Sequence, residues 1–241
     1  MSLKTRFTDL LHHMRDLQLT FADHLTDDER EAVGTEQHWS AKDTLFHNMV
    51  WADFHLAQLR AFERDGVWPE REDGGDFDKS NREIFEAHQH NTWDDAYVMI
   101  RDSYAHADAY LERTSEDELL MQIEDEGELR AKWRVMAGNH VMHPMLHLWE
   151  YLHGHEHDDV LMDLFGESFA DRLLAVSDDP AWRGPVLYNL ACLYALSGST
   201  QLAIKQLKEA LRLAPNLIEW SQQDSDLDSL RDEPAYQALY N

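Results

Sequence analysis

Positive charge is scarce in this chain: 21 Lys and Arg stand against 47 Asp and Glu in 241 residues, a net charge of −26. Nucleic acids and anionic membranes are bound through basic footprints, so neither is an expected partner. The acid excess favours solubility and draws cations, as any generically acidic surface does. Cysteine occurs once, at Cys192, which excludes a disulfide framework and points to a reducing compartment, the cytoplasm. Long apolar runs are missing, so no segment reads as a membrane span. The opening Met1–Phe7 has no apolar leader region, and no signal peptide is expected. Also missing are a Gly-rich phosphate loop, a G-x-S-x-G turn and a Cys/His nucleophile arrangement. What remains is a hydrophobic fraction of 43%, enough to build a core.

The periodicity is helical throughout, and the fold class it predicts is all-α. Leu3, Phe7, Leu10, Leu11, Met14 and Leu17 follow the three-four spacing of an amphipathic helix. A second helix opens at Ser40, where Asp43 completes a capping box, and stops near Asp65-Gly66. Gly66 to Ser80, rich in Gly, Pro and acids, reads as a long loop of the lid type. A third helical region covers 81–113, with Thr92 and Asp95 marking a second capping box and a candidate break. An acidic connection follows from Ser115 to Glu128. A fourth helix is expected over 132–153, kinked or bulged where Pro144 removes the donor that would meet the His140 carbonyl. Four such helices make a bundle the natural architecture.

Three histidines carry the chemistry. His143 and His147 lie four apart in His140-Val-Met-His143-Pro144-Met-Leu-His147, so a helix stacks them on one face. Such a pair grips a divalent metal, and His47 from the second helix supplies a third imidazole, leaving open positions. Three neutral imidazoles suit Zn, Ni or Fe(II) better than Mg or Ca. The alternative is a set of buried polar residues hydrogen-bonded in a bundle core. Around them, Trp51 and Trp149 are candidates for a pocket wall or for plain core. His55, two turns after His47, is a second layer or a surface residue. His140 is an alternative ligand if the helix bulges at Pro144. Asn139 precedes it in the same motif. Glu150 is a candidate orienter or general base, or simply exposed. Trp68, in a loop with no core to fill, is a candidate lid. The histidines at 153, 155 and 157 read as a solvated helix end.

After His157 the character changes, giving expected domains of 1–157 and 158–241. A helix over 160–176 leads to Tyr188–Gly198 and then Ala203, Leu207, Ala210 and Pro215. Small residues at Ala191, Ala203 and Ala210 let two antiparallel helices approach closely, and Pro215 ends the second. Cys192 falls in their seam as a small core residue. The spacing resembles a single tetratricopeptide (TPR) repeat, flanked by the 160–176 helix and a last helix near 234–239. The resemblance implies docking of a protein partner or of a second copy.

The Trp39-Ser40-Ala41-Lys42-Asp43 entry into the His47 helix and Asn139-x-x-x-His143-x-x-x-His147 together resemble the DinB-like superfamily of bacterial four-helix bundles. Asp78–Phe85 (DKSNREIF) and the Asn139/His143/His147 motif look closer to one branch, the ClbS/DfsB-like proteins. The resemblance covers the N-terminal region. It implies a DinB-like four-helix bundle with His47, His143 and His147 holding a divalent metal, nickel or zinc. It further implies hydrolase or low-molecular-weight-thiol transferase chemistry on small reactive compounds, with a protective role. Non-enzymatic sequestration of a small molecule and a protein-interaction scaffold are the competing expectations.

Overall fold

The computed structural model describes residues 1–69, 75–125 and 128–240. Among the described residues, the protein is all-α apart from a two-stranded hairpin. It divides into two compact units, Met1–Tyr151 and Leu152–Asn241. The division falls inside the last helix of the first half, ahead of the expected break after His157.

In the first unit, α1 (Leu3–Thr20) is capped by Ser2 and is followed by a single 3-10 turn and the short α2 (Asp27–Glu31). Helix α3 (Ala41–Asp65) opens on the expected capping box: Ser40 accepts from the Asp43 amide, and the Asp43 carboxylate accepts from the Ser40 amide (2.9 Å) and hydroxyl (2.6 Å). The loop before it packs directly on this cap. A Cβ at Gly34 would lie 2.6 Å from the Ser40 nitrogen, so only glycine fits there. Gly66, at φ 71°, closes α3 in the left-handed conformation.

The stretch read as a long loop is shorter than expected, because α4 (Phe77–His88) begins within it on the Asp76 cap. The helical region over 81–113 is two helices. α4 ends at His88, and α5 (Trp93–Arg113) restarts on the Thr92/Asp95 capping box. The acidic connection is structured as well: α6 (Glu116–Leu120), then β1 (Gln122–Asp125) paired antiparallel with β2 (Glu128–Ala131). The fourth helix is broken. α7 (Lys132–Ala137) passes into a π-helical turn over Gly138–Met142, from which α8 (His143–Gly154) emerges.

Helices α1 and α3 both pack on α5, on α7 and on the π turn. Their shared core holds Phe7, Leu11 and Met14 from α1, Leu45, Met49 and Leu59 from α3, Ile100 from α5 and Val141 from the π turn, all buried. Each such side chain contributes about 1.5–3 kcal/mol of burial.

The second unit starts with α9 (Asp158–Phe165) and α10 (Glu167–Val176), two helices where one was expected over 160–176. They are followed by α11 (Pro180–Leu196) and α12 (Thr200–Leu213), which form a hairpin with the most extensive packing in the protein. Ala191, Ala203, Leu207 and Ala210 are buried in its seam as their spacing predicts, together with Cys192. Short helical turns follow, including α13 (Ile218–Ser221) and α14 (Pro234–Gln237). Among the described residues, no helix is long and apolar enough to cross a membrane.

Candidate metal centre

The Ser40 cap starts α3 so that His47 falls on its buried face, two turns in. His47 is 3% exposed. Its ring lies 4.5 Å from that of Trp39 and 6.3 Å, edge-on, from that of Trp51. His143 and His147 sit on the first turns of α8, and their orientation depends on the break before them. Pro144 has no amide to offer the His140 carbonyl. That carbonyl instead accepts from the Tyr104 hydroxyl at 2.7 Å, and the Tyr104 oxygen accepts from Gln18 Nε2 at 2.9 Å. The π turn, closed by the His143 amide on the Gly138 carbonyl, takes up the extra residue and delivers α8 with both histidines facing α3. Sequence reasoning found the bulge and the proline, but not the tyrosine that satisfies the freed carbonyl.

The three imidazoles converge through the same atom. Nε2 of His47 lies 3.1 Å from Nε2 of His143 and 3.2 Å from Nε2 of His147, and the last two are 3.1 Å apart. The edge of a tetrahedron with Zn–N bonds of about 2.0–2.1 Å is roughly 3.3–3.4 Å, close to this triangle. The proton bookkeeping points the same way. His147 Nδ1 is 2.9 Å from Glu150 Oε2. A carboxylate only accepts, so the proton sits on Nδ1 and Nε2 offers a lone pair. Burial, and then the neighbouring His143 and His147, push the His47 pKa down to about 2. Burial, then His147 and His55, push His143 down to about 3. Both rings are therefore neutral at physiological pH. Nδ1 of each is buried without a protein hydrogen-bond partner among the described residues. Three imidazole nitrogens aimed at one point form a donor set for a borderline transition metal. The triad closes on the His47 side and opens on the other, where the His147 and Glu150 side chains are 29% and 70% exposed.

The remaining candidates fall at various distances from this point. Trp51 is buried beside His47 and donates through Nε1 to Asn81 Oδ1 at 3.0 Å, tying α3 to α4. His55 stacks on Trp51 (5.7 Å). His140 is fully buried against the edge of Tyr104 (5.9 Å) and is not in the donor group. Asn139 donates to the Val135 carbonyl at 2.9 Å. Trp149 is core, 2% exposed. Trp68 packs on Phe62 (5.6 Å), near the end of α3 away from His47.

Beside the triad, α3 and α4 enclose an open groove of about 680 Å³ whose walls include Trp51, Phe54, Ile84 and His88, with Lys79 and Glu83 at its edge. Sequence reasoning missed this groove, since half its wall comes from a helix that starts inside the stretch read as loop.

A second group able to hold a metal, Cys192 with Asp224 and Asp226, has a structural explanation. Asp224 Oδ2 already accepts from the Tyr188 hydroxyl (2.6 Å) and Trp220 Nε1 (3.1 Å). Burial pushes the Cys192 pKa up, keeping the thiol protonated.

Compared with family models, with curated proteins and with solved structures, the chain matches none.

Proposed function

We propose that the first unit is a divalent-metal-dependent enzyme of the DinB-like, ClbS/DfsB-like kind. It would act on small reactive or thiol-containing compounds. The observation that carries this reading is the meeting of three histidine Nε2 atoms, from two separate helices, within 3.2 Å of one another. His47, His143 and His147 would hold zinc, nickel or iron. Bound there, such an ion lowers the pKa of water or of a thiol and polarises a carbonyl. The protein's own contribution is positional. Glu150 fixes the His147 tautomer from outside, Trp39 and Trp51 exclude water from the His47 side, and the π turn sets the orientation of the α8 pair. The groove between α3 and α4 supplies an apolar, aromatic-walled place for a substrate or for a low-molecular-weight thiol.

Elemental analysis of tag-free protein tests the reading. About one zinc, nickel or iron per chain is expected in the wild type, and none in His143→Ala/His147→Ala. Absence of metal after reconstitution would overturn it. The groove also favours a second reading, in which the unit sequesters a small apolar molecule without turning it over. Ligand binding undiminished in the metal-free double variant would select that reading. For the second unit, the buried small-residue seam of α11 and α12 supports a TPR-like hairpin that docks a protein.

A further inference from the structure

Basic residues are rare in the second unit. From Leu152 onward there are only Arg172, Arg183, Lys205, Lys208, Arg212 and Arg231. Four of these six line a single groove of about 670 Å³ on the α11–α12 hairpin: Arg183, Lys205, Lys208 and Arg212. On α12 they recur at positions i, i+3 and i+7, which is one face of the helix. Acid in the groove's wall is limited to Glu209, which clamps Arg212 in two bonds of 2.6 and 2.8 Å. Arg183 is anchored as well, donating to the Leu174 carbonyl at 3.2 Å and to Asp178 Oδ1, outside the groove wall, at 3.4 Å. Lys205 and Lys208 are exposed and have no hydrogen bond or ion pair among the described residues. The floor is apolar, with Leu187 and Leu211 at its base and Ile218, 39% exposed, at its rim. A chain with a net charge of −26 has here gathered its local positive charge around an aliphatic trough.

We infer that this groove docks an acidic peptide segment of a partner protein, one that alternates aliphatic and carboxylate side chains. Both chemistries of the wall are needed to select it. The lysines meet carboxylates across the rim, where Coulomb attraction acts within a Debye length of about 8 Å. The aliphatic floor takes Leu- or Ile-type side chains and supplies burial energy. A nucleic acid lacks aliphatic groups for the floor, and its extended charge is repelled by the rest of the molecule. The volume lies inside the range of about 300–1,000 Å³ typical of ligand sites.

The test is fluorescence anisotropy on the full chain with three labelled eight-residue peptides and one oligonucleotide. The first peptide alternates Leu and Glu, the second replaces Leu by Ser, and the third replaces Glu by Lys. The oligonucleotide is a single-stranded dT10. Saturable binding of the Leu/Glu peptide alone is expected. It should weaken on the order of tenfold in Lys205→Glu/Lys208→Glu and with added salt, and also in Ile218→Ser. Circular dichroism unchanged in both variants shows that the hairpin remains folded. Equal binding of the Ser/Glu peptide, tighter binding of dT10, no binding of any probe, or unchanged affinity in the lysine variant would each overturn the inference.

Discussion

The two units bury very different chemistry. In the first, Gln18, Asp43, His47, Asn48, Gln58, Ser103, Lys132 and His140 are all under the surface, whereas in the second, among the described residues, the buried polar residue is Ser221. Burying a polar group costs free energy unless a partner compensates it. The second unit avoids that cost by filling its seam with Ala, Leu and aromatic rings. The first carries the cost in a cluster around α3 and the π turn, where several of these atoms have no protein partner. The difference teaches that the first unit is the place to look for chemistry, and the second is a packed support with its polar features on the outside.

The largest effect expected from this contrast is selective stabilisation by metal. At a free zinc or nickel concentration of 1,000 times the dissociation constant, the native first unit gains about 4 kcal/mol. Hydrogen exchange should slow in α3 and α8 and stay unchanged in α11 and α12. His47→Ala should abolish the gain. Equal protection of both units would erase the distinction between them.

A second effect separates the units by pH in the metal-free protein. Burial pushes the His140 pKa down to about 4 from 6.5. Its folded pKa is the lower one, so the unfolded chain binds the extra proton between those values. The associated stability is fully present above about pH 6.5 and is lost as pH falls toward 4. The slope is about 1.4 kcal/mol per pH unit for one imidazole, with His47 and His143 adding to it. Urea titrations at pH 7, 6 and 5 should show α1–α8 weakening while α11 and α12 hold. His140→Leu should flatten the dependence, and an unaltered slope in that variant would count against His140 as a source.

Tyr104→Phe probes the break in the fourth helix. It leaves the His140 carbonyl and the Gln18 amide unpaired, at a cost of about 1–3 kcal/mol. Tyr236→Phe, the matched change in the second unit, removes one bond of 3.0 Å to the Ser221 carbonyl and should cost less. If the π turn sets the triad, Tyr104→Phe also lowers metal affinity, whereas Tyr236→Phe does not. Parallel thermal melts and metal titrations of the two variants would separate these roles.

Sequence legibility differed between the units in an instructive way. Capping boxes at Ser40 and Thr92 were readable because a cap is local, needing only a hydroxyl and an acid three residues apart. The histidine triad was readable because helical spacing places His143 over His147 and leaves one partner to find. The hairpin of β1 and β2 was not readable, since Gln122–Asp125 and Glu128–Ala131 are four residues each, too short for an alternating pattern to stand out. The break between α9 and α10 turns on a close approach. A Cβ at Gly166 would collide with the Met162 carbonyl, a constraint visible only in three dimensions. The α3–α4 groove depended on where α4 begins, and composition marked that stretch as loop.

The smallest predicted effect tests the premise of the comparison, that buried polarity in the first unit is held at a cost. Asn48 is fully buried next to His47, and neither of its amide atoms has a protein hydrogen-bond partner. Leucine has nearly the same shape and no polar atom to satisfy. If the amide is a burden, Asn48→Leu raises stability by about 1 kcal/mol, read as a higher urea midpoint with an unchanged slope. If the amide serves the site, the variant gains little stability and loses metal affinity or substrate turnover. A variant both less stable and fully metal-loaded would mean that Asn48 is a well-satisfied structural residue. The polar burial around α3 would then be ordinary core construction, and the contrast with the second unit would rest on the histidines alone.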